Sequence, residues 1–321
     1  MIDIIIYLRE NYNMKKFYIF IAFFLLISST YSYWEWTPQT KKWINPKYAV
    51  KDTPQEQFNY AEEFRKNGKI DIAIREHKKL LKHYPKSEYA PNSCFILGEI
   101  YKEKGEKKKA FDYFQKIINE YPSSPLVFSA IKIQSEIAEK SLNERDKGFF
   151  RFIVKKEEKG DLMNKVIESS PYDAEAIDRM FKLADFYYQI KEYEKGIEIL
   201  DKIIKNFPEK KDVHEEVKYL KIKYLLSSIP EKNYDTDVIE EIKDQILEFS
   251  IDYPKSRFKD EIEKIEKVLD EKEAEKYYQI ANYYERAGKK KSAIYYYKKI
   301  VDKFPNTEYG KIANEKINKG L

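Results

Sequence analysis

The sequence predicts an all-α fold, built as a stack of antiparallel helical hairpins. Two observations lead to this prediction: a composition typical of exposed amphipathic helices, and one spacing of small residues, glycines and prolines that recurs along the chain. Hydrophobic residues make up 42% and charged residues 36% of the 321 positions, with 9 Gly and 12 Pro. That composition differs from the composition of disordered chains and is typical of helices packed in pairs.

Charge and cysteine content narrow the class of protein. The formal net charge is +5, with both signs mixed along the chain instead of sorted into blocks. This mixture argues against nucleic-acid binding, and basic runs such as 289–291 are interpreted as solvated helix faces. The single cysteine, Cys94, excludes an intrachain disulfide and is predicted to pack in a helical core.

The N-terminal residues have the layout of an export signal. Two lysines after Met14 precede an apolar run over 17–27, and a short polar stretch follows. We therefore predict a signal peptide over 1–32, with an uncleaved membrane anchor as the alternative. Met14 is predicted to be the true start, because Asp3 and Glu10 place negative charge where an export signal carries positive charge.

The second helix of each hairpin is marked by a small residue and a proline. In four segments the proline follows the small residue at the same distance. The pairs are Ala73 and Pro85, Ala110 and Pro122, Gly196 and Pro208, and Ala293 and Pro305. A small residue lets two helices approach closely where they cross, and a proline ends a helix because it lacks the backbone N–H.

The first helix has markers of its own. A small residue is followed three positions later by an aromatic one, in the pairs Ala61 and Phe64, Gly98 and Tyr101, Ala184 and Tyr187, and Ala281 and Tyr284. A glycine then permits the turn to the second helix in three units, at Gly68, Gly105 and Gly288, whereas Lys191 stands at this position in the remaining unit.

Two further units are less regular. They end at Pro171 and Pro254, but Lys159 and Ile242 replace their small residues. We expect about six hairpins over 54–316, two of them degenerate, with a short tail over 317–321. A separate extra helix is predicted over 255–270, before the last hairpin.

These residues resemble the tetratricopeptide repeat over 54–122, 177–208 and 274–305. The resemblance rests on four units that agree at five or six positions each, which generic amphipathic helices would rarely produce. It implies a right-handed superhelical stack of helical hairpins. Repeats of this kind are an architecture shared by unrelated binding proteins, so the fold alone does not give the function.

A second motif follows the prolines. It reads YPKSEYA at 84–90, YPKSRF at 253–258 and FPNTEY at 304–309. Its Ser or Thr is predicted to cap the next helix, and its aromatic residue is predicted to pack on the previous hairpin. Together with ANYYERAG at 281–288, the motif resembles the outer-membrane assembly lipoproteins of the BamD family over about 54–316.

This resemblance implies a location and partners. The expected role is a periplasmic scaffold at the inner face of the outer membrane, binding the barrel-insertase subunit and unfolded outer-membrane proteins. The chain departs from the family at its lipid anchor, because Tyr33 follows Ser32 where the family has a lipidated cysteine. Either the protein is soluble in the periplasm or another feature holds it at the membrane.

All three tryptophans lie in the N-terminal segment 33–53, at Trp34, Trp36 and Trp43. The alternation of Trp34 and Trp36 is compatible with a short strand that pairs with Trp43 across a turn. One interpretation is that this segment caps the exposed end of the first hairpin. The other is that it contacts a partner or a lipid interface.

The candidate peptide-binding groove follows the first helices of the hairpins. The residue three positions before each small residue is expected to form an aromatic floor, at Phe58, Phe95, Phe181 and Tyr278. One and two turns further come polar and charged edge residues, Glu62, Glu99, Asp185 and Asn282, then Arg65, Lys102, Tyr188 and Glu285. Such a groove suits a peptide with apolar anchors. The alternative is that these aromatics only pack between hairpins.

The sequence predicts no catalysis, cofactor or metal. The histidines His77, His83 and His214 form no pair at metal-ligand spacing, and no phosphate-binding glycine loop or nucleophile motif is present. Besides the barrel-assembly scaffold, two functions stay open. One is a general periplasmic adaptor for cell-wall, division or polysaccharide-export machinery, and the other is a groove that holds a glycan.

Overall fold

The computed structural model describes residues 35–37, 42–45, 49–143, 156–230 and 236–319. Within these ranges the protein is all-α apart from one two-stranded ribbon, which confirms the predicted fold class. The predicted signal peptide over 1–32, including the start at Met14, lies outside the described residues, as do residues 320–321 of the predicted tail.

The ribbon pairs β1 (Glu35–Thr37) with β2 (Lys42–Ile44). The described helices are α1 (Pro54–Lys66), α2 (Ile70–His83), α3 (Tyr89–Glu103), α4 (Lys107–Glu120), α5 (Val127–Asn143), α6 (Lys156–Ser169), α7 (Ala176–Gln189), α8 (Tyr193–Asn206), α9 (Lys211–Ser228), α10 (Thr236–Asp252), α11 (Lys259–Arg286), α12 (Lys290–Lys303) and α13 (Glu308–Asn318). They belong to two compact units, Met1–Val127 and Phe128–Leu321. The first unit holds α1 to α4 and the second holds the helices from α5 onwards.

Small residues lie at the helix crossings of the four regular hairpins, as the sequence predicts. All eight are buried: Ala61, Ala73, Gly98, Ala110, Ala184, Gly196, Ala281 and Ala293. A Cβ atom placed on Gly98 would come within 2.7 Å of the Phe114 ring, and one on Gly196 would come within 2.9 Å of the Tyr224 ring. Both distances are shorter than real carbon contacts, so the packing requires glycine at these two crossings.

The turns between the paired helices use a left-handed backbone residue. Gly68, Gly105 and Gly288 have φ of +71°, +76° and +73°, and Lys191 has φ of +65° at the equivalent position. Glycine adopts this region without a steric penalty, whereas a Cβ atom makes it unfavourable. The turn geometry is therefore the same in all four hairpins, and α7/α8 forms it with a lysine.

Prolines follow the second helices at the predicted places. Pro85, Pro122, Pro208 and Pro305 each come two residues after the last residue of a second helix, and Pro171 and Pro254 do the same after α6 and α10. In the degenerate units Ile242 and Lys159 are buried where the regular hairpins have a small residue. The residues that connect α5 to α6 and α9 to α10, over 144–155 and 231–235, lie outside the described ranges.

The separate extra helix predicted over 255–270 is wrong. A single helix, α11, runs for 28 residues from Lys259 to Arg286. Neither glycine nor proline interrupts this stretch, so nothing in it breaks the backbone hydrogen bonding. Its N-terminal half packs with α9 and α10 through Ile262 and Leu269, and its C-terminal half packs with α12 and α13.

For the motif after the prolines, the predicted aromatic packing is confirmed, and the predicted capping is confirmed at one of three positions. Its aromatic residues pack on the previous hairpin, with ring centroids 5.3 Å apart for Tyr89 and Phe58, 4.2 Å for Phe258 and Tyr219, and 5.2 Å for Tyr309 and Tyr278. Capping is confirmed at Thr307, whose hydroxyl accepts from the Gly310 amide at 2.9 Å.

The same capping prediction is wrong at the other two positions. For Ser87 to cap α3, the helix would have to begin at residue 88, but it begins one residue later and its cap residue is Glu88. The Ser87 hydroxyl is buried without a partner among the described residues. The Ser256 hydroxyl accepts from the Phe258 amide at 2.9 Å and so stabilises a turn before α11 begins.

Candidate protein-binding groove

The four residues of the predicted aromatic floor are all half-buried. In the first unit the Phe58 ring lies 5.6 Å from His77 and 5.3 Å from Tyr89, while Phe95 lies 5.4 Å from Phe114. These are edge-on and tilted contacts, which leave part of each ring face to solvent. The floor residues therefore contribute to packing and also present aromatic surface.

Phe181 on α7 and Tyr278 on α11 hold the corresponding positions in the second unit. The Tyr278 ring is tilted against Tyr297 at 5.8 Å and against Tyr309 at 5.2 Å. Tyr309 lies in the first turn of α13, so the terminal helix covers one side of the floor residue of the last hairpin.

The edge of the groove in the first unit is an ordered polar cluster. The Glu62 carboxylate accepts from the Arg65 guanidinium at 2.6 Å, and it also contacts the His77 Nε2 atom at 3.2 Å. On the other side of the imidazole, Nδ1 lies 3.2 Å from the Ser93 hydroxyl of the next hairpin. Glu99 and Lys102, one hairpin further, are exposed.

Burial determines the charge state of this cluster. Desolvation lowers the pKa of His77 below its ordinary value, and the nearby Glu62 carboxylate offsets this only in part. For Glu62 itself burial raises the pKa, but the hydrogen bonds and charges of Arg65 and His77 outweigh it and leave the pKa below the usual value. The cluster at neutral pH is therefore a neutral histidine beside an Arg65–Glu62 ion pair.

The edge residues of α7 differ in accessibility. Asp185 is exposed and accepts from the Gln189 amide at 2.5 Å. Tyr188 stacks on Tyr224 of α9, with centroids 4.6 Å apart, and its hydroxyl lies 3.2 Å from that of Ser227. Tyr188 is thus engaged by the next hairpin, while Asp185 is available to a ligand.

Sequence reasoning missed two groups at these positions. Glu285, predicted at a groove edge, accepts from the Tyr297 hydroxyl at 2.7 Å and from Lys316 at 3.0 Å, so it links the last three described helices. The sequence predicts only that His77 forms no metal site, whereas in the structure it links two hairpins. The available signal was its register, because His77 occupies the position that is Phe114 in the next hairpin.

The N-terminal ribbon has the predicted strand pairing. Trp36 faces Trp43 across the two strands, and their rings meet edge to face at 5.8 Å. Both tryptophans are exposed, while Trp34 lies outside the described residues.

Residues 49–51 lie against the start of the first hairpin. Tyr84 donates to the Lys51 carbonyl at 2.5 Å, Lys79 donates to the Ala49 carbonyl at 3.1 Å, and the Lys51 amide donates to Gln57 at 3.0 Å. This part of the segment is therefore fixed to α1 and α2.

Three further properties concern chemistry and membranes. Among the described residues, no group of three or more His, Cys, Asp or Glu side chains is placed to hold a metal ion. No helix within the same residues has the length and apolarity needed to cross a membrane. Burial raises the pKa of the Cys94 thiol to about 12, so this cysteine stays protonated at neutral pH.

The repeat pattern and the hairpin geometry define the class of protein. A tetratricopeptide repeat model matches residues 95–124, and the model of an outer membrane lipoprotein family matches residues 162–316. The chain therefore has the fold of a tetratricopeptide repeat protein. It resembles the outer membrane lipoproteins of the BamD type, as the motifs after its prolines predict.

Comparison with other proteins adds little beyond this class. No curated protein matches the sequence significantly. Among solved structures, a MamA protein from Desulfovibrio magneticus is 16% identical and covers 63% of this chain and 95% of its own, with a TM-score of 0.28. A thermophilic TPR protein of Thermus thermophilus is 13% identical, covering 66% of this chain and 98% of its own, also with a TM-score of 0.28. TM-scores this low support no inference about arrangement or function.

Proposed function

We propose that this protein is an exported, periplasmic protein-interaction scaffold that takes part in the assembly of outer-membrane β-barrel proteins and has no catalytic role. The observation that carries the proposal is the match of residues 162–316 to the outer membrane lipoprotein family. That region includes the floor and edge residues Phe181, Asp185, Tyr188 and Tyr278.

The groove residues support binding of a peptide segment. Half-buried aromatic rings beside exposed charges such as Glu99, Lys102 and Asp185 provide apolar anchoring sites with polar rims. Barrel strands alternate apolar and polar residues and carry aromatic girdles. An unfolded barrel protein therefore offers suitable side chains, and the barrel-insertase subunit is the folded partner that the resemblance implies.

The proposed location is the periplasmic face of the outer membrane, reached through the export signal over 1–32. Affinity purification after mild crosslinking, from membrane fractions of cells that produce the protein, tests the function. We expect the barrel-insertase subunit among the enriched proteins. If cell-wall enzymes or exporter subunits are recovered without it, the general adaptor function replaces this one.

A charge reversal tests the groove in the same experiment. The variant carries Glu99→Lys and Asp185→Lys, two exposed edge residues whose replacement leaves the core intact. Reversed charges at a recognition edge are expected to reduce recovery of the partner about tenfold. Asp112→Lys, an equally exposed change on α4, is the control and should recover the partner normally. Equal recovery with both variants would place the binding surface elsewhere.

The exposed pair Trp36 and Trp43 is proposed as a second contact, with a partner or with the lipid interface. Because all three tryptophans lie over 34–43, tryptophan fluorescence, excited at a wavelength that tyrosine does not absorb, reports on this segment alone. A blue shift on addition of vesicles would favour the lipid interface, and a shift with the insertase would favour the partner. If neither causes a shift, the interpretation of this segment as a cap is preferred.

A further inference from the structure

Two neighbouring positions near the end of the first helix are covered in the internal hairpins. They are Ile100 and Tyr101 on α3 and Phe186 and Tyr187 on α7, and none of the four is more than 7% exposed. The preceding second helix covers them in both cases. Lys78 of α2 donates to the Tyr101 hydroxyl at 2.9 Å, and Asn164 of α6 donates to the Tyr187 hydroxyl at 3.2 Å.

The last hairpin has tyrosines at these positions, but they are not covered. Tyr283 is 69% exposed and Tyr284 is half-buried. In the first hairpin, which no helical hairpin precedes among the described residues, the equivalent of Tyr283 is the polar Glu63. The last hairpin therefore has aromatic residues typical of a covered face at positions that the described part of the chain leaves exposed.

The length of α11 explains why this face is open. This helix has 28 residues, against 13 to 15 in α1, α3 and α7, so it is about 20 Å longer. The preceding helix α10 lies along its N-terminal half, where Lys243 binds Asp270 at 2.9 Å and Glu273 at 2.8 Å. The helical turns from Tyr277 to Arg286 extend past it.

The open surface is a continuous set of rings, which we call the tyrosine face. It consists of Tyr277, Tyr283, Tyr284, Tyr295 and Tyr296. The Tyr284 and Tyr296 rings are stacked at 5.7 Å, and Tyr296 lies 5.3 Å from Tyr295 and 6.4 Å from Tyr277. Tyr295, at 63% exposure, is also mostly accessible.

The tyrosine face is basic. Helix α12 carries five lysines and one aspartate over Lys290–Lys303. The Lys299 ammonium lies 4.1 Å from the Tyr277 ring centre, and the Lys289 ammonium lies 5.9 Å from that of Tyr284. A partner for this face should therefore be acidic and present apolar side chains to the rings.

The chain itself contains a surface with these properties. On α10, Glu240, Asp244, Leu247 and Ile251 recur at helical spacing on the side opposite the buried Ile242 and Phe249, and we call this set the acidic ridge. Leu247 and Ile251 are 61% and 69% exposed, one turn apart. Helix α10 has six acidic residues and one lysine.

We propose that the acidic ridge of one molecule docks on the tyrosine face of a second copy. In the internal hairpins a helix covers the face that is equivalent to the tyrosine face. The acidic ridge would provide such a helix here, and the two surfaces have opposite charge. The helices that carry the two surfaces are close to each other within one molecule, because Lys243 on α10 lies 5.3 Å from the Phe304 ring, which lies 6.2 Å from Tyr277. Two complementary surfaces on one molecule allow both contacts to form at once about a two-fold axis, which closes a dimer.

Sedimentation of the purified protein tests the dimer. We expect a dimer at low ionic strength that weakens severalfold as salt screens the charged contact. One variant carries Tyr283→Glu and Tyr295→Glu, and the other carries Leu247→Lys and Ile251→Lys. Each alone should be monomeric, with the circular dichroism of the wild-type protein, because all four side chains are exposed.

Mixing the two variants distinguishes this contact from general association. The first variant retains an intact ridge and the second an intact tyrosine face, so an equimolar mixture is expected to regain one contact and form heterodimers. A mixture that stays monomeric would overturn the proposal. So would a wild-type protein that remains monomeric at ~200 μM and low salt, a concentration that reveals even weak contacts.

Cysteine crosslinking tests the pairing directly. Molecules with Leu247→Cys mixed with molecules with Tyr295→Cys should form a disulfide-linked heterodimer in air. The natural Cys94 is buried and protonated, so it does not compete. Asp112→Cys mixed with Tyr295→Cys is the control. Crosslinking no faster than in this control would overturn the proposal.

Discussion

The second hairpin, α3/α4, and the last hairpin, α11/α12, share one sequence pattern but differ in burial. Ile100 and Tyr101 in the second hairpin are each 5% exposed, whereas Tyr283, the equivalent of Ile100 in the last, is 69% exposed. Their turns match, with φ of +76° at Gly105 and +73° at Gly288. The residues of the repeat pattern therefore determine the geometry of the hairpin, and the packing of the neighbouring helix determines which of its faces is buried.

The same comparison explains how an interaction surface arises in a repeat protein. A hairpin in the middle of a stack has its aromatic face covered by the preceding second helix. Lengthening one first helix moves that neighbour away and leaves the face to solvent, with no change in the hairpin itself.

Truncation of the equivalent residues should give the largest difference between the two hairpins. Ile100→Ala is expected to destabilise the first unit by about 3 kcal/mol, because it creates a cavity in a packed core. Tyr283→Ala should change stability by less than about 0.5 kcal/mol, because the ring is exposed. Hydrogen exchange of the α3 and α11 amides measures both effects.

Equal effects of Ile100→Ala and Tyr283→Ala would contradict the comparison, since the exposed ring would then be packed. Tyr101→Ala and Tyr284→Ala extend the test to the next position. Tyr101→Ala should again reduce stability more, but the two losses should differ less because Tyr284 is half-buried.

A titration should separate the first hairpin from the others. The buried ring of the second helix is His77 in the first hairpin, Phe114 in the second and Tyr297 in the last. Since the folded pKa of His77 lies below its ordinary value of 6.5, the unfolded chain binds the proton more readily. Stability of the first unit should be constant above that pH and fall below it, by at most about 1.4 kcal/mol per pH unit.

His77→Phe, which copies the second hairpin, should remove this dependence between about pH 7 and about pH 5, the range around the ordinary histidine pKa. The lowered pKa of Glu62 makes stability fall only as the pH drops below the ordinary Glu pKa of 4.5, which lies outside that window. Amide exchange in α2 and α3 measures the effect, and an unchanged pH profile in the variant would refute the assignment to His77.

The turns should respond alike in the two hairpins. Gly105→Ala and Gly288→Ala each place a Cβ atom on a left-handed backbone, with no other atom within 4 Å. Each should cost about 1–2 kcal/mol from backbone strain alone. Amide exchange rates in the flanking helices provide the measurement. If the two variants lose very different amounts of stability, burial and not turn geometry determines the loss.

Lys191→Gly should have a small effect of the opposite sign, an increase in stability. It relieves the left-handed lysine with φ of +65°, and we expect a gain of up to about 1 kcal/mol. Lys191→Ala is the control, because it keeps the strain and should give no gain. Amide exchange in α7 and α8 reports the result.

The sequence predicts local features well because they depend on residues close together along the chain. The turns at Gly68 and Lys191, the ends of helices before prolines, and the pairing of Trp36 with Trp43 all follow from short spacings. The repeat pattern does not predict the continuous helix α11, because it places a helix boundary where the chain has none. Neither glycine nor proline occurs over 259–286, which was the signal for it.

The candidate site was predictable in position but not in partners. Register alone places Phe58 and Tyr278 on the first helices, yet their contacts with Tyr89 and Tyr309 depend on how the next helix approaches. Tyr188 is predicted at the groove edge by register, but the approach of α9 places it in a stack with Tyr224. Contacts between hairpins depend on packing that no single repeat encodes.

Photo-crosslinking in living cells tests the central claim, that the groove and the tyrosine face are two separate binding surfaces. A photoreactive amino acid is placed in turn at Glu99 and Asp185 in the groove, at Tyr283 on the tyrosine face, and at Asp112 as the control. The account predicts capture of outer-membrane assembly proteins from the groove positions and of a second copy of the chain from Tyr283. Capture of the same proteins from all four positions, or from Asp112 alone, would contradict it.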